Sequence, residues 1–265
     1  PGLTLVETPY GRKVQIDQSW CVADGACTRF LTAPVPGGMR VKACPSFEEV
    51  RVRRVRPPTA PFDRLDFSSV PMPAIAPLGP GWHGYMAGVG GMGIGTATAI
   101  LVLAGHREGY RVLYCDKKGL AIRNGGVYSM ITFVPPDGPY RSNLIPYGKA
   151  DVLLGMDVLE ASRALDPAAN QRVVGPQRTA VILNTHKTPT ILTLLGQDDF
   201  DTQQLETVLR QHSRPDAFFS CDVSVLSEVF FGTQLYANMA LLGVAFQRGL
   251  LPLRLESLEG AIANG

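Results

Sequence analysis

Glycines are the first group of residues whose spacing could support chemistry. Five of them lie within the eight residues GVGGMGIG, between two apolar runs. A strand followed by Gly-x-Gly-x-x-Gly and a helix forms an anion site, because glycine lets the backbone approach a ligand and the helix presents free N–H groups. Gly88, Gly90 and Gly93 have this spacing, with Gly91 between them, and Asp116 ends the next apolar run where a ribose-binding acid would lie. The pattern predicts either a dinucleotide site or a tight packing turn, and the residues alone leave both open.

Cysteines form the second group. Three of the five, Cys21, Cys27 and Cys44, lie in the first 44 residues, and a proline follows Cys44. Thiolates bind iron, and a Cys-Pro pair closing a cysteine series is typical of bacterial ferredoxins. Three thiolates cannot complete a four-thiolate cluster, so another chain or a missing segment would supply the rest. Zinc fits poorly without a nearby histidine. Three thiols without a metal are the alternative, and Cys115 and Cys221, in apolar runs, are predicted to be core thiols.

Composition excludes several classes of partner. The chain has 265 residues, of which 45% are hydrophobic and 18% charged, and its net charge is +2. We therefore expect a globular protein that binds no nucleic acid, with the basic run RVRRVRPP as a solvated edge. No apolar run is long enough to predict a membrane span. The odd number of cysteines and the absence of a secretory pattern predict a cytoplasmic location.

The chain divides into three predicted parts. Residues 1–56 form a small cysteine-bearing module, residues 57–81 form a proline-rich linker, and residues 82–265 form an α/β domain. In the last part, apolar runs of strand length alternate with helical patterns, which indicates βαβ units. We therefore predict an open, mainly parallel sheet with helices on both faces. His186 follows a predicted strand, and we favour a hydrogen-bonded loop histidine there over a catalytic one.

The segment GVGGMGIGTATAILVLAGHREGYRVLYCDKKGLAIRNGGVYSMITF resembles the gamma domain of 2-oxoacid:ferredoxin oxidoreductases, and most of all the indolepyruvate type. ADVLLGMD, VILNTHKTPT, NMALLGVAFQRGLLPL and LEGAIANG follow in the same order, so the resemblance covers roughly Trp82 to Gly265. It implies that the gamma domain packs against domains holding thiamine diphosphate, and that the glycine turn is structural or approaches substrate, CoA or a partner domain. The loop carrying Arg123 and Asn124 would then face substrate or a partner, or be a simple turn.

The cysteine region is similar to the ferredoxin-like segment that precedes the gamma domain in fused relatives. IDQSWCVADGAC and CPSF carry this resemblance, which implies a 4Fe-4S cluster on Cys21, Cys27 and Cys44, shared with another chain or a missing segment. One departure is the 16 residues between Cys27 and Cys44, a longer spacing than the family has.

The resemblance implies a component of a thiamine-diphosphate-dependent 2-oxoacid ferredoxin oxidoreductase acting on an indolepyruvate- or arylpyruvate-type substrate. Thiamine diphosphate, with Mg²⁺, and CoA would be bound mainly by partner subunits, and ferredoxin or another acceptor would take the electrons. The chain lacks a thiamine-diphosphate motif, so we expect no activity from it alone. The alternatives are a stand-alone NAD- or FAD-binding Rossmann oxidoreductase and a non-catalytic assembly subunit.

Overall fold

A computed structural model describes residues 3–17, 19–21, 66–117, 125–139, 141–168 and 171–264. Its strands are β1 (Leu3–Thr8), β2 (Gly11–Ile16), β3 (Trp82–Val89), β4 (Arg111–Lys117), β5 (Gly126–Val134), β6 (Val152–Gly155), β7 (Ala180–Asn184) and β8 (Phe218–Cys221). Its helices are α1 (Ile94–Arg107), α2 (Val158–Ser162), α3 (Ile191–Leu194), α4 (Thr202–Gln211), α5 (Val223–Phe231), α6 (Ala237–Gln247) and α7 (Leu255–Ile262). None of the helices in these ranges is long and apolar enough to cross a membrane.

Six strands form the main sheet, in the order β4-β5-β3-β6-β7-β8. β3, β6, β7 and β8 pair in parallel, whereas β5 is antiparallel to both of its neighbours, β3 and β4. β6 and β7 consist entirely of buried residues, as strands covered on both faces require. The predicted open, mainly parallel sheet is therefore confirmed. β5 runs in the opposite direction to the other strands of this sheet.

Apolar cores cover both faces of this sheet. On one face, α1, α6 and α7 contribute buried side chains such as Leu101, Leu241 and Leu258. On the other face, α2 and α4 contribute Val158 and Leu209. The connection after β3 thus runs along one face, and the connection after β6 runs along the other. The predicted placement of helices on both faces is confirmed.

Two regions form elements that the sequence analysis did not predict. β1 and β2 form an antiparallel hairpin. The sequence VSVLSEVFF forms α5, although it is rich in residues favoured in strands. Asp222 starts this helix, because its Oδ1 accepts a hydrogen bond from the Val225 N–H at 2.9 Å. A local cap here outweighs the intrinsic preference of the residues.

The described part of the proline-rich segment, residues 66–81, contains no helix or strand. It follows the surface of the α/β unit, where the Gln247 side chain donates to the Pro71 carbonyl at 2.7 Å and the Ala76 N–H donates to the Leu251 carbonyl at 3.3 Å. The division at residues 56 and 81 stays a prediction.

Gly105 allows α1 to approach the sheet. A Cβ atom at this position would lie 2.6 Å from Phe133 Cε1 and 2.9 Å from Val112 Cγ2, whereas one at Gly243, inside α6, would meet nothing within 4 Å. We expect Gly105→Ala to lower the free energy of unfolding by about 1–3 kcal/mol through overpacking. The matched Gly243→Ala should raise it by about 0.5–1 kcal/mol. Urea unfolding measures both, and equal shifts would contradict the close packing of α1.

Candidate functional site

The parallel strands end at one edge of the sheet, and the loops that follow them meet there. α1 leaves β3 on one face and α2 leaves β6 on the other, so a crevice opens at the carboxyl ends of these neighbouring strands. Ligands of open α/β sheets bind at such a switch point. The glycine turn, Asp157, the loop 185–190 and Asp222 all lie at this carboxyl edge.

Close packing accounts for much of the glycine turn. A Cβ atom on Gly88 would lie 3.1 Å from both Ile94 Cδ1 and Met156 Cβ. Gly91 and Gly93 have φ values of 105° and 73°, which residues other than glycine rarely adopt. The Gly90 N–H donates to the Gly125 carbonyl at 3.0 Å.

The side chain of Asn238, in α6, lies against the end of this turn and donates to the Gly93 carbonyl at 3.1 Å. The turn thus joins β3, α1 and α6. A cofactor-binding role for Gly88, Gly90, Gly91 and Gly93 stays a prediction.

The position of Asp116 bears on the dinucleotide interpretation. In a dinucleotide-binding fold, the strand that carries the ribose-binding acid lies beside the strand that leads into the glycine turn. Here β5 lies between β4 and β3, with Asp116 opposite Ser129 and Ser129 opposite Met86. Two strand spacings, about 10 Å, separate Asp116 from β3. This strand order does not support the ribose-binding alternative for Asp116.

A cavity of about 480 Å³ opens at the carboxyl edge beside α2. Its apolar wall is formed by Val89, Leu159, Pro189, Ile191, Leu192 and Phe200, and its polar wall by Asp157, Glu160, Arg163, Thr188, Thr190, Thr193, Asp198 and Asp199. Apolar side chains beside hydrogen-bonding groups suit a small organic molecule. A second, more polar cavity of about 200 Å³ adjoins it, and the two share Gly126, Glu160 and Arg163. Arg123 and Asn124, the predicted loop residues, lie outside the described residues.

Asp157 is a buried carboxylate at the wall of the larger cavity. Its Oδ1 accepts from the Glu160 N–H at 2.9 Å and so caps α2, while its side chain is almost fully buried. Among the residues that the structure describes, none donates a hydrogen bond of normal geometry to Oδ2. Burial raises the pKa of Asp157 to about 6, although hydrogen bonding from the Glu160 backbone and the nearby Thr188 hydroxyl lower it in part. This carboxyl group can take up or release a proton near neutral pH.

Glu160 lies between the two cavities. Burial raises its pKa, and the opposing effects of Arg163 and Lys117 lower it. Arg163 Nε lies 3.2 Å from Glu160 Oε1. A Cβ atom on Gly126 would lie 2.6 Å from Glu160 Cδ, so only glycine fits at the start of β5 without moving this carboxylate.

Asn184 and His186 order the loop after β7. The buried Asn184 side chain donates to the Met156 carbonyl at 3.1 Å and accepts from the Val223 N–H at 3.0 Å, which joins the ends of β6 and β7 to α5. His186 Nδ1 lies 3.2 Å from Asp222 Oδ2, in agreement with a hydrogen-bonded loop histidine. Sequence reasoning missed Asp157, Asn184 and Thr188, although Asp157, two residues after β6, and Asn184, at the end of β7, were polar residues at the ends of apolar runs.

The predicted metal ligands are described only in part. Cys21 is a partly buried free thiol, whereas Cys27 and Cys44 lie outside the described residues. In the ranges that the structure covers, no three His, Cys, Asp or Glu side chains are grouped to hold a metal ion. Cys115 and Cys221 are free, partly buried thiols that pack beside the two cores.

Asp157→Asn tests the buried carboxylate, because asparagine retains the helix cap. With a pKa raised from 3.8 to about 6, the folded protein holds a proton that the unfolded chain releases. The free energy of unfolding of the wild type therefore falls relative to the variant by up to about 3 kcal/mol as pH rises through this window. Urea unfolding at pH 4 and pH 7 measures the change. Asp201→Asn, at the exposed cap of α4, is the control, and parallel pH profiles for wild type and Asp157→Asn would refute the assignment.

Comparison with known proteins gives consistent matches. A family model described as pyruvate ferredoxin/flavodoxin oxidoreductase matches residues 84–265. The indolepyruvate oxidoreductase subunit IorB of Methanothermobacter thermautotrophicus is 29% identical over 181 residues, which cover 68% of this chain and 85% of that protein. The subunit of the same name from Thermococcus kodakarensis is 27% identical over 184 residues, covering 67% and 82%.

Solved structures give weaker similarity. The PORC subunit of pyruvate oxidoreductase from Thermotoga maritima has 16% identity and a TM-score of 0.44, covering 69% of this chain and 84% of that one. The 2-oxoglutarate:ferredoxin oxidoreductase from Magnetococcus marinus has 14% identity and a TM-score of 0.45, covering 69% and 27%. The family model covers well over half of the sequence, including all six strands of the main sheet except the first two residues of β3. The chain therefore belongs to the pyruvate ferredoxin/flavodoxin oxidoreductase family and is a component of a 2-oxoacid oxidoreductase.

Proposed function

We propose that this chain is the gamma-type component of an indolepyruvate- or arylpyruvate-type 2-oxoacid ferredoxin oxidoreductase in the cytoplasm. It contributes one wall of the substrate or CoA region and thiolates for iron-sulfur electron relay. The similarity to subunits named indolepyruvate oxidoreductase, over 82–85% of their length, supports the substrate class. The observation that carries the proposal is the cavity at the carboxyl edge of the family domain, whose apolar walls suit an aryl group.

The exposed surface of α5 supports assembly with other subunits. Val225, Leu226 and Val229, in this helix, are 44–60% exposed. Neighbouring exposed apolar side chains of this size mark interaction surfaces. We assign thiamine-diphosphate-binding subunits to this role and ferredoxin to the role of electron acceptor.

The described residues fit the proposed cofactors unequally. Cys21 offers a free thiol, the donor that an iron-sulfur cluster needs, and we propose Cys27 and Cys44 as further ligands of the 4Fe-4S cluster. The cavity suits thiamine diphosphate and Mg²⁺ poorly, because Glu160 is paired with Arg163, Asp199 is paired with Lys187 and Asp157 is committed to its helix cap, which leaves only Asp198 among the described lining carboxylates. We therefore assign thiamine diphosphate, which supplies the decarboxylation chemistry, to partner subunits. Arg123, Asn124 and the glycine turn remain our candidates for contact with CoA or substrate.

Iron analysis tests the cluster. We expect the anaerobically purified complex to contain iron and acid-labile sulfide in equal amounts and, when reduced, to give a cluster EPR signal. Cys21→Ser and Cys27→Ser should each remove most of that signal, because serine replaces a thiolate ligand. Cys115→Ser is the matched control and should retain it. No iron in a folded and fully associated preparation would refute the relay role and favour an assembly subunit.

A larger side chain in the cavity tests whether its wall contributes to substrate or CoA binding. Ile191→Trp places a larger side chain at the cavity, whereas Leu195→Trp makes a comparable change at an exposed apolar residue outside its lining. We expect Ile191→Trp to lower kcat/KM for an aryl 2-oxoacid or for CoA about tenfold, equivalent to about 1.4 kcal/mol. The rate is measured in the assembled complex with a dye acceptor.

Size-exclusion chromatography of both variants checks assembly. If Ile191→Trp dissociates the complex, the residue belongs to the interface and the cavity assignment is wrong. Equal kinetics of the two variants and the wild type would also refute a role for the cavity in binding either substrate.

A further inference from the structure

The segment before Cys21 forms an ordered turn. The N–H groups of Trp20 and Cys21 donate to the Asp17 carbonyl at 3.2 and 3.0 Å. The Ser19 N–H donates to Asp17 Oδ1 at 2.9 Å, and the Ser19 hydroxyl donates to the same atom. The backbone at Cys21 is thus fixed to the end of β2.

This turn is attached to the α/β unit by contacts distant in sequence. The Ser19 carbonyl accepts hydrogen bonds from the Thr233 hydroxyl at 2.8 Å and from the Gln234 N–H at 3.2 Å. Ser19 and Gln234 are only 9% and 4% exposed, and the Trp20 side chain packs against the core on the α1 face. Buried hydrogen bonds joined to apolar packing define a specific contact.

The acceptor turn is itself held in place. The Ser227 hydroxyl, in α5, donates to the Thr233 carbonyl at 2.7 Å, and the Gln234 side chain donates to Glu228 Oε2 at 3.2 Å. Thr233 Oγ1 also accepts from the Leu235 N–H at 3.3 Å. Two of these contacts reach side chains of α5, so Thr233 presents its hydroxyl group in one orientation.

The attached turn and the cavity lie on two sides of one loop. Leu3, Asp17 and Trp20 surround a small void together with the residues from His186 to Pro189. Thr188 and Pro189 also line the larger cavity. Lys187 fixes this loop, since its Nζ lies 2.7 Å from Asp199 Oδ1 and donates to the Phe200 carbonyl at 2.8 Å.

We propose that Thr233, Gln234 and Trp20 form an anchor that holds the turn of Ser19, Trp20 and Cys21 at the carboxyl edge, one loop away from the cavity, and so positions Cys21. The inference rests on the proposed function for the role of Cys21 in electron relay. Thr233 is a positioning residue, because it acts on Cys21 through the Ser19 carbonyl.

Alkylation of the iron-free full chain tests the anchor independently of the cluster. Thr233→Val removes the hydroxyl donor, and we expect it to raise the iodoacetamide alkylation rate of Cys21 about fivefold, the effect of losing one such hydrogen bond on local opening. Thr233→Ser keeps the donor and should restore the wild-type rate. Thr207→Val removes an exposed threonine hydroxyl from α4 and should leave the rate unchanged. Peptide mass spectrometry reads Cys21 separately from Cys115, the internal reference.

The outcomes separate the anchor from the cluster. An unchanged alkylation rate in a folded Thr233→Val protein overturns the anchor, whether or not the chain binds iron. Faster alkylation in both Thr233→Val and Thr207→Val also overturns it, because the effect is then general loosening. The expected rates in a chain that never takes up iron support the anchor and refute the relay. In the iron-loaded complex, we expect Thr233→Val to lose iron to a chelator about fivefold faster than Thr233→Ser.

Discussion

The parallel pairing of β3 with β6 sets the position of the crevice in which we propose that a ligand binds. These two strands are neighbours, but their helices leave on opposite faces, so a gap opens between their carboxyl ends. The glycine turn closes one side of that gap and the start of α2 closes the other. Several residues fill or line this gap. Gly88 packs on Met156, Gly126 leaves room for Glu160, and Asn184 joins the ends of β6 and β7.

Asp157 shows how the fold maintains an unfavourable group at this position. A buried carboxylate costs free energy, yet the first turn of α2 has N–H groups that need an acceptor and a dipole that favours negative charge. The hydrogen bonds at the start of α2 offset the cost of burial only in part, so the pKa of Asp157 stays raised, at about 6. A proton at Asp157 is thus linked to the cap of a helix whose next residues, Leu159 and Glu160, line the cavity. A ligand that changes the polarity of the cavity would change the same proton equilibrium.

The sequence allowed the element order and the family to be predicted, because apolar periodicity and the order of motifs are local properties. The buried runs in β3, β6 and β7 and the pattern of α1 illustrate this. The direction of β5 could not be predicted, since alternation in GVYSMITFV is the same for a parallel and an antiparallel strand. The position of β5 between β4 and β3 was also not predictable from local patterns, and it places Asp116 two strands away from β3. The cavity was equally inaccessible, because Asp157, Thr188 and Phe200 meet only after three separate strands or loops are placed.

The loop 186–189 relates the proposed electron path to the proposed binding site. A loop joined only by its ends would let the cysteine-bearing segment and the cavity move independently, but this one is held at several points. Asn184 fixes its start, the His186–Asp222 pair ties it to α5, and Lys187 ties it to Phe200. Trp20 packs on one side and the cavity opens on the other. These contacts hold one side of the arrangement, and the contacts of Ser19 and Trp20 with the α/β unit hold the other. We therefore expect this chain to fix the position of Cys21 relative to the cavity, whichever subunits complete the proposed cluster and active site.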